Sequence, residues 1–508
     1  QSEKEKIDES EDEANYRGTQ YIGKLGVEQS YEAELHGTTG FEEMETSAGG
    51  HPVRRLKSNP ATPGNALVMS IDIRLQAMVE ELFGDRRGAL VAIDPRNGEV
   101  LAFVSKPNFD PNLFVDGIDA DNWKALNESP DKPLLNRALR GTYSPGSTYK
   151  PFMALAALTL GKRTPQQAIY DPGFFNFGGH TFRDDKEGGH GSVDMYKSIV
   201  QSCDTYYYML ANDLGVDAMH DFMAPLGLGQ LTGIDMQGEL RGVLPSTEWK
   251  RNAYKKKELQ KWYAGETISL GIGQGQNSFT MLQLAQATAA LASGGHRYKP
   301  HLVKVIENFE TRTKTRTIEE ALPTLDWKPE HVAVIRHAMF GVTQEGTSRA
   351  SFLGTTYQSG GKTGTAQVIG IKQGEKYNAK NLDERHRDHA LYTAFAPLDE
   401  PRIALAMVVE NAGFGAQNAA PIARRVFDFV LNGQYPSEAD IAATKLGQST
   451  APIGQPRPVS SVPLPGTTVD GTVGGLVPAA SASAPAATPA AASASAAPQR
   501  VALDGRRP

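Results

Sequence analysis

Residues 141–161, GTYSPGSTYKPFMALAALTLG, place a hydroxyl and an amine three positions apart at the start of an apolar run, and this constrains the chain more than any other stretch. Pro145 and Gly146 break whatever precedes them and the run stops at Gly161, so Ser147 should sit in the first turn of a helix. Positions i and i+3 share a helical face, which presents the Lys150 amine beside the Ser147 hydroxyl. A serine is a poor nucleophile until something takes its proton, and a partly desolvated lysine can do that. The helix start adds free N–H groups and a positive dipole end, both favourable to an oxyanion at an acylated carbonyl.

Ser-x-x-Lys alone also fits an N-cap serine with a solvated lysine. Two further stretches change its meaning. QSCDTYYYM carries Ser202 and Asp204 in a second helical pattern, and GGKTGTAQV carries Lys362, Thr363, Gly364 and Thr365 in a strand-like run. The three motifs, in this order, resemble the signature of penicillin-binding proteins and class A β-lactamases. The stretches YIGKLGVEQSYEAELHGTTG, NFDPNLFVDGI, GIGQGQNSFTMLQLA and HALYTAFAP narrow the resemblance to class B penicillin-binding proteins. Within that class the likeness is to the penicillin-binding protein 2 group, the elongation-specific peptidoglycan D,D-transpeptidases of Gram-negative bacteria, and it covers about residues 20–435.

The chain has 508 residues, enough for two or three domains, and 40% hydrophobic content supports a substantial core. A net charge of −6 gives no reason to expect a nucleic-acid partner. Cys203 is the single cysteine, so no intrachain disulfide forms. No window approaches 18 uninterrupted apolar residues. The resemblance implies a single N-terminal membrane anchor lying outside this sequence, with the chain at the periplasmic face of the inner membrane.

Residues 1–14 are a solvated charge run, and 21–63 are short-patterned and turn-rich. By resemblance, 1–66 are a flexible start and the last part of a non-catalytic pedestal. A strand at 67–71 leads to Asp72, which should cap a helix with Leu75, Met78, Val79 and Leu82 on its apolar face and a stop at Gly84. Two apolar runs around Asp94-Pro95-Arg96-Asn97-Gly98 read as a hairpin. Helical patterns follow at 147–160, 193–213, 217–224, 280–292 and 329–340, then strands at 358–368, 390–396 and 402–410 and a helix at 418–431. The expected class is therefore α+β, in a domain spanning 67–440. It holds one five-stranded antiparallel sheet covered by helices, an all-helical lobe beside it, and the site where the two meet. By resemblance this is the penicillin-binding/β-lactamase-like transpeptidase fold. Residues 441–508, rich in Pro, Ala and Ser, read as a disordered tail without catalytic residues.

The resemblance implies a role for each motif residue. Ser147 attacks the carbonyl of a D-Ala–D-Ala bond in a peptidoglycan stem peptide and becomes an acyl-enzyme, as it does with β-lactams. Lys150 is the base, its proton affinity lowered by Lys362 and burial. Ser202 relays a proton to the leaving amine. The N–H groups of Ser147 and Thr365 form the oxyanion hole. Lys362, Thr363 and Thr365 meet the terminal carboxylate, and Gly364 lets the substrate backbone come close. Position 204 departs from the pattern: the motif usually ends in Asn, and an ionised Asp only accepts hydrogen bonds. Asp204 then either pairs with a lysine or faces away from the substrate amide. D,D-carboxypeptidase or β-lactamase chemistry, or a penicillin-binding sensor, are the alternatives.

GIGQG, residues 271–275, lacks the strand-turn-helix surroundings of a phosphate loop and reads as a tight turn. Asp171, Asp184, His190 and Cys203 are all zinc-ligand types within 33 residues, though without a tight ligand pair. A zinc site with this spacing belongs to part of the resembled group and would be structural; catalysis needs no cofactor. The partners implied are a lipid II-polymerising SEDS-family glycosyltransferase and other elongation-complex proteins.

Overall fold

Asp72 accepts hydrogen bonds from the backbone N–H groups of Arg74 and Leu75 and so starts helix α1, Ile73–Phe83, which ends at Gly84. The computed structural model describes residues 13–17, 19, 21–370 and 377–466. Beyond α1 the chain forms the hairpin β1 (Gly88–Ile93) and β2 (Val100–Lys106). A long helical stretch follows, from which we use α2 (Lys150–Thr159), α3 (Met195–Val200), α4 (Asp204–Leu214), α5 (Met281–Ala292) and α6 (Pro329–Gln344). Strands β3 (Gly360–Ala366), β4 (His389–Ala396) and β5 (Ile403–Val409) and helix α7 (Ala420–Asn432) complete the layers.

The five strands form one sheet in the order β3-β4-β5-β1-β2, every neighbour antiparallel. Its three inner strands β1, β4 and β5 read as largely apolar runs because both faces are buried. Ala89, Val91, Ala404 and Ala406 face a core shared with α2 and α5, whereas Leu90, Ala92, Leu405 and Met407 face a second core with α1 and α7. The expected α+β architecture with a helical lobe is the one observed. The strand expected at 67–71 forms over Ala66–Met69, in a separate three-stranded sheet with Val303–Glu307 and Lys314–Arg316. The N-terminal hairpin Phe41–Thr46 and Pro52–Asn59 is exposed along its whole length.

Two expectations need correcting. The single helix over 193–213 is broken at 201–203 into α3 and α4. The tail does not begin at 441: a helix runs over Glu438–Lys445 with Ile441 buried, and Arg457–Pro458 pairs with Gln434–Tyr435. Buried Arg425 of α7 holds this segment through Asp440 at 2.6 Å and the Thr450 carbonyl at 2.6 Å. One charge pair and one isoleucine anchor a stretch whose average composition looks solvated. The remainder of the expected tail, 467–508, and residues 1–12 lie outside the described residues. Among the described residues no helix is long and apolar enough to cross a membrane.

Candidate active site

The turn that carries Ser147 is built by two glycines where a side chain would clash. Gly146 has φ +53°, and a Cβ there would lie 2.5 Å from the Thr365 carbonyl oxygen. A Cβ on Gly364 would meet Thr148 Cγ2 at 2.8 Å and the Pro145 carbonyl at 3.1 Å. Gly364 was expected to admit the substrate backbone; its missing side chain instead faces inward and lets β3 press against the turn that carries Ser147. The turn is a 3-10 segment, Gly146–Tyr149, running into α2. Ser147 is half-buried at its start, where N–H groups have no intrahelical partner.

Lys150 is fully buried, but its hydrogen bonds run to the second motif rather than to Ser147. Its Nζ donates to the Ser202 carbonyl at 2.5 Å, to Ser202 Oγ at 3.2 Å and to Asp204 Oδ1 at 2.6 Å. The fully buried Nζ of Lys362 donates to the same Ser202 Oγ at 2.8 Å and to the Thr363 carbonyl at 3.0 Å. One hydroxyl therefore lies between two amines. The helix break makes this possible: Ser202 has φ +62°, a conformation that costs a non-glycine residue about 1–3 kcal/mol.

Burial, followed by the nearby Lys150 charge, pulls the Lys362 ammonium well below its ordinary range. Burial pushes the Asp204 carboxyl up, against the pull of Lys150. Of the two placements expected for Asp204, the structure has the lysine pair.

Strand β3 is at the sheet edge. The Thr363 and Thr365 carbonyls are held there by side chains, Lys362 on the first and Gln274 Nε2 on the second at 3.0 Å. In an antiparallel strand a residue's N–H and C=O point the same way, so the Thr365 N–H also faces the open edge. The Thr363 hydroxyl is 2.7 Å from that of Thr347. Thr347 and Gln274 were not singled out by sequence. Gln274 belongs to the GIGQG turn, and Gly273 accepts from the Gly146 N–H at 3.0 Å, so that turn braces the Ser147 turn from the lobe side. Its glycine density beside a helix start was the available signal.

The four metal-type residues also converge. Asp171 ends a short strand paired with Gly191–Val193, Asp184 follows the hairpin strand His180–Arg183, and Cys203 precedes α4. Cys203 Sγ is 3.5 Å from Asp171 Oδ2 and 3.4 Å from Asp184 Oδ2. His190 Nδ1 is 2.8 Å from Asp171 Oδ2 and 3.3 Å from Asp184 Oδ1. One ligand atom from each of the four lies within 4.8 Å of the others. Burial, then the Asp184 and Asp171 charges, push the Cys203 thiol far up.

Residues 88–428 match the family model "Penicillin binding protein transpeptidase domain", and residues 1–69 match "Penicillin-binding Protein dimerisation domain". The chain is 46% identical over 418 residues to the peptidoglycan D,D-transpeptidase MrdA of Acinetobacter baumannii, covering 82% of this chain and 61% of that protein. It is 40% identical over 425 residues to MrdA of Escherichia coli K12, covering 83% and 66%. It thus spans a little under two thirds of these curated relatives. Among solved structures it resembles Pseudomonas aeruginosa PBP2 in complex with WCK 5153, with TM-score 0.71, 42% identity and coverage of 82% of this chain and 83% of that one. It also resembles PBP2 of Helicobacter pylori in complex with MreC, with TM-score 0.72, 30% identity and coverage of 83% and 74%. With its three motifs brought around one serine hydroxyl, the chain belongs to the penicillin-binding protein transpeptidase family, in the class B group that contains penicillin-binding protein 2.

Proposed function

We propose that the chain is the catalytic part of a serine-type peptidoglycan D,D-transpeptidase of cell elongation, acylated by β-lactams. The observation that carries the reading is Ser202 Oγ between the amines of Lys150 and Lys362, at 3.2 and 2.8 Å, beside the helix start of Ser147. Ser147 Oγ bonds to the carbonyl carbon of a D-Ala–D-Ala peptide and gives its proton to Lys150, one helical turn away. Asp204 Oδ1, 2.6 Å from the same nitrogen and with its carboxyl pushed up by burial, can accept a proton from that amine. The N–H groups of Ser147 and Thr365 hold the tetrahedral oxyanion. Its collapse breaks the peptide C–N bond, the leaving D-Ala amine takes a proton through Ser202, and an ester to Ser147 remains. An acceptor amine then attacks the ester, and Ser147 regains its proton. Lys362, Thr363 and Thr365 receive the terminal carboxylate.

Mass spectrometry of the intact protein after penicillin treatment tests the acylation. A long-lived adduct at Ser147 is expected, followed by cross-linking of donor pentapeptide to an acceptor stem. Rapid loss of the adduct would make the chain a β-lactamase, donor hydrolysis without cross-linking a D,D-carboxypeptidase, and a stable adduct without turnover of the donor a sensor.

The acid cluster supports a structural zinc held by Asp171, Asp184, His190 and Cys203. The donor set fits: two carboxylates with buried side chains lie beside a thiol and an imidazole, and a metal would turn the thiol into a thiolate. Bound there, zinc would tie the connection between α2 and α3 to the start of α4. Metal analysis of untagged protein checks this; less than about a tenth of a zinc per chain returns Cys203 to an ordinary buried thiol.

The relatives and the family matches support residues 1–66 as part of a non-catalytic pedestal and a site of action at the periplasmic face of the inner membrane. They equally favour assembly with a SEDS-family glycosyltransferase and other elongation proteins. One similar structure, 31% identical with TM-score 0.65, is described as a peptidoglycan synthase complex that coordinates polymerization and crosslinking.

A further inference from the structure

Residues 250–261, KRNAYKKKELQK, carry six Lys or Arg and one Glu in a chain whose net charge is −6. Most of these cations are unused by the fold. Lys250 is buried and paired with Glu266 at 2.5 Å, and its Nζ lies over the rings of Trp262 at 5.4 Å and Tyr263 at 5.5 Å. That cage fixes the segment. Arg251, Lys255, Lys256 and Lys257 are exposed, and none of them makes an ion pair with any described residue. Lys261 lies 5.3 Å above the ring of Tyr263, which is 54% exposed, so a cation-bearing aromatic side chain stands at the surface beside the charges.

The segment is continuous with the catalytic wall. It runs into a helix over Ala264–Leu270 and then the turn whose Gln274 holds the Thr365 carbonyl; Tyr254 OH accepts from Gln276 Nε2 at 3.5 Å. We propose that this basic, aromatic-flanked segment docks the anionic sugar–peptide polymer whose stem peptides enter the cleft. The inference rests on the transpeptidase reading and names a second contact for the same substrate. A polymer being cross-linked extends beyond the cleft, and its peptides carry free carboxylates at regular intervals, complementary to a row of unpaired ammoniums. A lipid surface fits less well. The local helices span seven and four residues, too short for an interfacial amphipathic helix, and Leu259 is the one exposed aliphatic side chain of this basic run.

The test compares the full chain with the variant Lys255→Glu/Lys256→Glu/Lys257→Glu. Each protein is co-sedimented with purified peptidoglycan sacculi and, separately, with vesicles of phosphatidylglycerol and phosphatidylethanolamine. Labelled penicillin is the second readout. The expected result is that wild type pellets with sacculi and is released by rising salt, and that the variant pellets at least about tenfold less. Both proteins should take the penicillin label at the same rate, which shows that the variant is folded with an intact cleft. Equal pelleting of variant and wild type overturns the docking proposal, as does charge-dependent binding to vesicles without binding to sacculi. Failure of wild type to take the label strikes the transpeptidase reading instead, whatever the sedimentation shows.

Discussion

Ser202, Cys203 and Asp204 are consecutive, yet they serve two buried charge clusters of opposite make-up. Ser202 and Asp204 face two lysines, a set in which Asp204 offsets Lys150 and burial drives the Lys362 ammonium toward neutrality. Cys203 faces two carboxylates and an imidazole, a set of metal-ligand types that the Lys150 charge reaches from the first cluster. A strained residue at φ +62° lets the backbone address both at once. The difference teaches what each cluster is for. Two amines around a shared hydroxyl can move protons, whereas carboxylates grouped with a thiol and an imidazole are the donor set that a metal, once bound, would make into a frame.

The comparison breaks first at Ser147. Ser147→Ala should abolish covalent penicillin labelling with the melting temperature almost unchanged, because the side chain is half-exposed and packs no core. Label on any other serine would reassign the nucleophile.

Lys362→Met separates chemistry from stability inside the first cluster. Acylation should slow by about a hundredfold or more, because the donor that holds Ser202 Oγ at 2.8 Å is lost. Stability should move the other way. A lysine held below its ordinary value of 10.5 in the fold binds fewer protons there than in the unfolded chain. Wild-type stability therefore rises with pH across the window below 10.5, and the methionine variant lacks that rise. Denaturant titrations at neutral and alkaline pH should find the variant at least as stable near neutrality, with its advantage shrinking as pH climbs. A variant that unfolds, with a rate loss that only tracks its folded fraction, would make Lys362 structural. Thr363→Ala should lose acylation by a smaller factor with little thermal shift.

In the second cluster the signs reverse. Chelation, or Cys203→Ser, should lower the melting temperature by on the order of 5–10 °C and weaken acylation only as far as Ser202 and Asp204 are displaced. No thermal shift on chelation would remove the contrast between the clusters.

Much of this was legible where the signal is local. The cap at Asp72, the hairpin around Asp94–Gly98 and the start of the Ser147 helix rest on residues within a few positions of each other, and each is found. The pairing of Lys150 with Asp204 was one of two foreseen placements. What sequence could not show depends on contacts between distant segments. The inward-facing Gly364 is explained only once Pro145 and Thr148 are packed on it. The break at 201–203 runs against a continuous helical pattern, because Ser202 is recruited by lysines 52 and 160 positions away. The order of 441–462 draws on buried Arg425 finding Asp440.

The smallest expected effect marks the border of the first cluster. Gln274 donates to the Thr365 carbonyl across 91 positions, and the same residue's N–H faces the open edge of β3. If that bond aims the N–H, then Gln274→Met, which keeps the length and removes the donor, should cut the acylation rate constant about tenfold with little change in initial penicillin affinity. A purely structural glutamine would instead lower the melting temperature and leave the rate of the folded fraction alone. Gln274→Glu sharpens the test. At neutral pH its carboxylate would face the Thr365 carbonyl and repel it, so this variant should be slower than the methionine one. Near about pH 5 and below, a glutamic acid beside a carbonyl regains a proton and can donate, so part of the rate should return relative to wild type at the same pH. Equal rates for Gln274→Met and wild type, or no pH-dependent recovery in Gln274→Glu, would confine the catalytic cluster to its three motifs and leave the GIGQG turn as packing.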